Sequence, residues 1–201
     1  MKGNIYTLFY AAVLGSACAL LLTAAASFTK PYKEANQKAE EALNILMALK
    51  VPLPEKASSA EVVKAREENV KVKQLGDLTT YIYEADGKTL AIALQFDGPG
   101  LWGPIKGFLA LDPEITKIQG ITFYEQEETP GLGGEIVKSS FRDKFVGLMI
   151  RDDTGKPGII IKSGGDAAAN KVDGISGATM TCDKVQQMLN EAIKSIVEEK
   201  Q

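Results

Sequence analysis

The stretch Thr80-Tyr81-Ile82-Tyr83-Glu84-Ala85-Asp86-Gly87-Lys88-Thr89-Leu90-Ala91-Ile92-Ala93-Leu94-Gln95-Phe96 holds two runs of period-two alternation around a turn signal. Aromatic and β-branched residues fill the first run, and Leu90, Ile92, Leu94 and Phe96 share one face of the second. Asp86-Gly87 between them suits a tight hairpin turn. This is a β-hairpin, and it sets an antiparallel sheet as the frame. Toward the C-terminus, residues 107–111, 118–124 and 158–162 are short apolar runs bounded by Gly, Pro or Asp, and they read as further strands. The chain closes on residues 183–199, where Val185, Met188, Leu189, Ala192, Ile193, Ile196 and Val197 form an apolar stripe at helical spacing. The expected class is α+β: one domain with an antiparallel sheet flanked by helices.

Toward the N-terminus the composition becomes helical. Residues 58–71 read as a polar, weakly amphipathic helix or a partly ordered connection. Residues 34–50 have helix-forming composition, with apolar Ala39, Ala42, Leu43, Leu46, Met47 and Leu49, and Pro52 and Pro54 end the run. Before Pro31 lie 24 consecutive residues without a charge, from Ile5 to Phe28. A helix of that length reaches about 36 Å, enough to cross a bilayer with some tilt. One transmembrane helix is expected. A cleaved signal peptide is the rival, since Ala24-Ala25-Ala26-Ser27 supplies small residues, but the run exceeds the roughly 7–15 residues of a signal core. Cys18 follows Gly15-Ser16-Ala17 in the manner of a lipoprotein cleavage site, yet Leu20, Leu21 and Leu22 carry the apolar run past it. The expected organisation is a transmembrane anchor over residues 1–30, a helical spacer over 31–75 and a folded domain over 76–201. Lys2 on one side and Lys30 and Lys33 on the other leave orientation undetermined by charge.

Composition removes several classes of function. With a formal net charge of -3 and interspersed signs, there is no basic face to track a nucleic-acid backbone, and nucleic acid is not expected as a partner. The chain contains no histidine, the commonest general base and metal ligand. No residue is expected to be catalytic by itself, and any redox chemistry must be borrowed from a cofactor. Two cysteines, Cys18 and Cys182, are too few for a thiolate metal cage or a disulfide framework, and no metal site is expected.

Three segments carry the chemical information. Directly before the last helix stands Asp173-Gly174-Ile175-Ser176-Gly177-Ala178-Thr179-Met180-Thr181. It reads as a loop with an N-cap, with Thr181 or Asp183 accepting from the first free amides. It also reads as a phosphate site, because an anion at a helix N-terminus meets unpaired N–H groups and the positive end of the dipole. The second segment, Tyr124-Glu125-Gln126-Glu127-Glu128-Thr129-Pro130-Gly131-Leu132-Gly133-Gly134-Glu135, is by itself an acidic loop turning at Pro130-Gly131. The third, Gly98-Pro99-Gly100-Leu101-Trp102-Gly103-Pro104-Ile105-Lys106-Gly107-Phe108, holds the only tryptophan, which reads as a core or rim anchor.

Together these segments resemble the FMN-binding domain family. The Asp173-Gly174-x-Ser176-Gly177-Ala178-Thr179 pattern looks like the target motif of the bacterial flavin transferase. That enzyme moves an FMN group from FAD onto the threonine after the alanine. The resemblance implies covalent FMN on Thr179 through a phosphoester bond, with Asp173 and Gly174 recognised by the transferase and Ser176, Gly177 and Ala178 beside the cofactor. Thr181 is then left as the cap. The second segment is similar to the Glu-Thr-Pro-Gly-Leu-Gly loop of FMN-binding subunits in respiratory ion pumps, which implies Glu128, Thr129, Gly131, Leu132 and Gly133 as flavin contacts. Gly100-Leu101-Trp102, followed by Gly107-Phe108-Leu109-Ala110, is similar to the C subunit of sodium-translocating NADH:quinone reductases, which adds Leu101 and Trp102 to the site.

The resemblance extends more weakly to the G subunit of Rnf-type ferredoxin:NAD oxidoreductases, whose Gly-Leu-Trp segment differs. It implies a single-pass flavoprotein of the bacterial inner (cell) membrane, with the FMN domain on the periplasmic or outer side. Its partners would be the other subunits of a membrane respiratory complex, and the flavin transferase during maturation. NADH oxidation, ubiquinone reduction and sodium transport would belong to the assembly, with no independent catalysis by this chain. A rival from another class is a membrane-tethered binding module that uses the same glycine-rich pocket without covalent flavin.

Overall fold

The computed structural model describes residues 2–54, 56–76 and 78–200. The side chain of Lys2, whose charge enters the orientation argument, and Glu55 of the expected spacer lie outside the described residues. The chain divides into two compact units, residues 1–39 and 40–201.

The first unit is helical. Helix α1, Lys2–Ala48, runs on through Pro31, where the sequence suggests a boundary. A proline there removes one backbone donor from the ladder. A helix of 47 residues retains enough neighbouring bonds to continue past it. Lys30 and Glu34 pair across one turn at 3.8 Å just there. The stretch from Asn4 onward is long and apolar enough to cross a membrane.

The second unit is built on a five-stranded antiparallel sheet with strand order β1-β2-β3-β4-β5: β1 Val70–Leu75, β2 Leu78–Ala85, β3 Lys88–Pro99, β4 Pro104–Leu111 and β5 Ile118–Glu125. This is the α+β arrangement expected from the alternation pattern. The hairpin at Asp86-Gly87 forms as read, with both residues at positive φ. The first strand lies inside the segment expected to be a spacer. Its Val-Lys-Val-Lys-Gln-Leu sequence exposes most of its side chains, and lysines are common on a sheet edge, so its composition imitates a polar connection.

Both faces of the sheet are covered. Leu94, Phe96, Leu109, Ile121 and Phe123 pack on one face with Val185, Leu189, Ile193 and Ile196 of α4, Thr179–Glu199. Ala91, Ala93, Phe108 and Ala110 pack on the other with Ile45, Leu46 and Leu49 and with Val62 of α2, Ser59–Asn69. The apolar face expected from Leu90 to Phe96 forms only in part: Leu90 is exposed, while the alanines between the large residues are buried. Their small size lets a helix lie close to the sheet. Gly120 shows the same fit, since a Cβ there would strike the Ala48 carbonyl oxygen.

After β5 the chain makes a short 3-10 turn at Gly133–Val137, the four-residue helix α3, Ser139–Arg142, and two short strands, β6 Ile160–Ile161 and β7 Lys171–Val172. The strand expected over residues 158–162 shrinks to two residues and pairs in parallel with β7. Helix α4 starts four residues before the expected position, at Thr179. That shift moves the key threonine from a loop onto the first turn of a helix.

Candidate functional site

Three loops meet at one end of the sheet. The first is the tight connection between β3 and β4, closed by the Gly100 N–H donating to the Gly103 carbonyl at 2.8 Å. The second leaves β5 and folds back at Thr129, whose carbonyl accepts from the N–H groups of Leu132 at 3.1 Å and Gly134 at 2.9 Å. Gly131 within it takes φ +79°, the left-handed region that glycine enters at little cost. The third leads into α4, with Gly177 at φ +76° and Ala178 as the N-cap residue.

Glu128 joins all three. It is only 4% exposed. Its Oε1 accepts from the N–H of Leu101 at 2.7 Å and of Trp102 at 3.2 Å, while its Oε2 accepts from the Thr181 hydroxyl at 2.6 Å. Its own N–H donates to Gln126 Oε1 at 2.6 Å. The glycines nearby make room for this carboxylate. A Cβ at Gly100 would lie 2.5 Å from Oε1, and one at Gly133 would lie 2.5 Å from both Oε2 and Thr181 Oγ1.

The three loops enclose a cleft of about 350 Å³. Its walls are Leu101 and Trp102 from the first loop, Glu128, Thr129, Leu132 and Gly133 from the second, and Gly177, Ala178 and Thr179 with Met180 and Thr181 from the third. Most of the residues singled out in the sequence thus come together. Gly131 and Ser176 stand outside this lining, and both are exposed. Asp173 is exposed too, and its carbonyl accepts from Lys144 Nζ at 3.3 Å. Gly174 lines a neighbouring cleft of about 480 Å³ with Lys162, Ser163, Cys182, Asp183 and Gln186. Thr179 lies on the wall of both clefts.

One single-residue reading changes and another is narrowed. Thr181 is not a cap: α4 has no side-chain cap bond, and the Thr181 hydroxyl is turned inward to Glu128. Helix periodicity explains this, because starting at Thr179 places Thr181 on the buried side with Cys182 and Val185. Of the two positions open to Trp102, core or rim, it takes the rim, being 69% exposed at the edge of the cleft. Met180, 59% exposed, is a cleft residue that the motif reading passes over. The signal for it was the helix start itself, misplaced by four residues.

The electrostatics are simple at this end of the sheet. Burial pushes the Cys182 thiol up, and the Ile175 N–H donating to Sγ at 3.3 Å opposes that shift only in part. Cys182 therefore serves as a core residue with a protonated thiol. Burial, with Glu41 and Glu125 nearby, pushes the Tyr124 hydroxyl up to about 12, and it accepts a hydrogen bond from Gln95 Nε2 at 3.0 Å.

Comparison with known proteins agrees with this geometry. The FMN-binding domain family matches residues 100–194. The C subunit of the Na(+)-translocating NADH-quinone reductase of Vibrio anguillarum is 37% identical over 132 residues, covering 63% of this chain and 52% of the relative. The same subunit of Neisseria meningitidis serogroup A is 45% identical over 102 residues, covering 50% of this chain and 40% of the relative. The chain spans about half the length of the curated relatives it matches. Among solved structures, the C subunit from Parabacteroides distasonis superposes with a TM-score of 0.72 at 26% identity, covering 85% of this chain and 96% of that one. NqrC of Shewanella oneidensis shares the fold, with a TM-score of 0.64 at 23% identity over 79% of this chain and 93% of that one. With the matched stretch holding all three loops of the cleft, residues 100–194 match the FMN-binding domain family, in a chain similar to the C subunit of Na(+)-translocating NADH-quinone reductases.

Proposed function

We propose that this chain carries FMN joined through its phosphate to Thr179, and that it serves as an electron-transfer subunit of a sodium-translocating NADH:quinone reductase. One observation carries the reading: an exposed Thr179 at the uncapped start of α4, on the wall of a cleft built from the two other motif loops. In the attachment reaction Thr179 Oγ1 would form the new P–O bond to the FMN phosphorus of FAD and lose its proton, while AMP leaves. The acceptor hydroxyl must therefore be open to a second protein. Thr179 and Ser176 are exposed, whereas Thr181 is buried and its hydroxyl is already engaged.

The residues present suit the group. A phosphodiester keeps one negative charge, which the unpaired amides and dipole at the start of α4 favour. Leu101, Trp102, Leu132 and Met180 offer apolar surface for a planar ring. When bound, FMN supplies the one- and two-electron redox chemistry, which the side chains of the cleft do not provide by themselves. Exposed Asp173 and half-buried Gly174 before the threonine are the proposed recognition elements for the transferase.

NADH oxidation, quinone reduction and sodium transport are assigned to the assembly, with other subunits as partners. Residues 1–30 are proposed as its anchor, with the domain outside the cytoplasm, where a covalent bond prevents loss of the cofactor. The long apolar helix supports a membrane anchor. Co-expression of the full chain with a flavin transferase, denaturation, and inspection of the polypeptide band for yellow fluorescence tests the reading. A fluorescent band that disappears in Thr179→Ala is expected. A dark band from the native sequence would favour a non-covalent binding module instead.

A further inference from the structure

We infer that Glu128 is a positioning residue that fixes the Trp102 wall of the cleft relative to the first turn of α4. The FMN reading assigns the motif containing Glu128 to the cofactor, yet both of its oxygens face protein donors. One oxygen holds the backbone of the Leu101-Trp102 turn and the other holds the hydroxyl of Thr181, two residues beyond Thr179. A single carboxylate therefore sets the separation between the two sides of the cleft. Bonds to an ionised acceptor are among the stronger hydrogen bonds, and several on one rigid group restrict its geometry further. The loop around the carboxylate is shaped to it: glycine occupies the two positions, Gly100 and Gly133, where a Cβ would strike one of its oxygens. The residue is anchored from behind as well, through its N–H to Gln126.

The Trp102 turn has its internal bond from Gly100 to Gly103, but the indole is exposed, so the backbone contacts to Glu128 do the orienting. The consequence is preorganisation: the cleft keeps its width before any ligand is attached, and ordering of the loop is not charged against ligand binding.

This inference rests on the FMN reading for its purpose, but its test does not. Hydrogen exchange is followed at the Leu101 and Trp102 amides in the full chain in detergent, using the Thr179→Ala background, which carries no flavin if the proposed attachment is right. Glu128→Ala should lower protection at those two amides by about 10- to 100-fold, the range carried by one hydrogen bond to a charged group, with the β3 and β4 amides unchanged. Glu128→Gln keeps an oxygen acceptor at the same reach, though without the charge, and should restore most of the native protection. Glu128→Asp keeps the charge but is one methylene shorter, and should behave as Glu128→Ala.

Native protection at Leu101 and Trp102 in the Ala or Asp variants would overturn the inference. So would a loss spread evenly over the sheet, which marks a general stability role. Should Glu128→Ala not fold, the contrast between Gln and Asp decides: protection kept by Gln and lost by Asp upholds the inference, and the reverse overturns it. Peptide mass spectrometry of the same variants carrying native Thr179 separates the two claims. Absence of FMN from every form would sink the flavin reading while leaving the exchange result standing.

Discussion

Two threonines stand two residues apart at the start of α4, and the helix sends them in different directions. Thr181 is buried with its hydroxyl on Glu128, and Thr179 is exposed. Thr181→Ala should therefore retain covalent FMN on Thr179 yet lose about 1–3 kcal/mol of stability, because a buried acceptor loses its donor. Denaturant unfolding of the domain together with the peptide mass checks both halves. A second expectation concerns Trp102, the only tryptophan, which lines the cleft with Thr179. Its emission should be strongly quenched in the flavinylated chain and recover in Thr179→Ala; equal corrected intensities and lifetimes would remove it from the site. The identity of these residues was legible in the motifs. Their partners were not, because Glu128 meets Leu101 and Thr181 across 27 and 53 positions of sequence, and no local pattern encodes such a contact.

At the level of elements, legibility follows how far the determinants are local. The hairpin at Asp86-Gly87 and the stripe of α4 are written in short-range period and turn chemistry, and both form as read. The edge strand β1 and the true start of α4 depend on what packs beside them. The start of α2 is local again. Ser58 and Glu61 form a capping box, with Ser58 N–H donating to Glu61 Oε2 at 2.7 Å and Glu61 N–H donating back to Ser58 Oγ at 3.4 Å. Ser58→Ala should cost about 0.5–2 kcal/mol in a denaturant titration.

The turn between β4 and β5 carries an acid-sensitive element. Burial pushes the Asp112 carboxyl up, but the hydroxyl and N–H of Thr116 and the N–H of Lys117 outweigh it, holding the carboxyl below its ordinary value. For a lowered carboxyl the stabilisation is complete above its unfolded value and is lost as pH falls through the folded one. Melting temperature should thus fall on acidification below about pH 4, the ordinary carboxylate range, and Asp112→Asn should flatten that slope. An unchanged acid slope in Asp112→Asn would contradict this assignment.

At the scale of the whole molecule, an apolar helix precedes a domain in which the three motif loops line one cleft. The proposed placement outside the cytoplasm rests on the need to retain a cofactor there, not on lysine counts. A reporter fused after Gln201 that works only outside the cytoplasm is expected, and activity confined to the cytoplasm would refute it. The central claim is the bond at Thr179, and it can be read directly. Trypsin should release residues 172–184 as one peptide containing Ser176, Thr179 and Thr181. Tandem mass spectrometry of that peptide, from the full chain matured with a flavin transferase, should place the mass of FMN less one water on Thr179. The unmodified peptide alone, or the added mass on Ser176 or Thr181, would contradict the account.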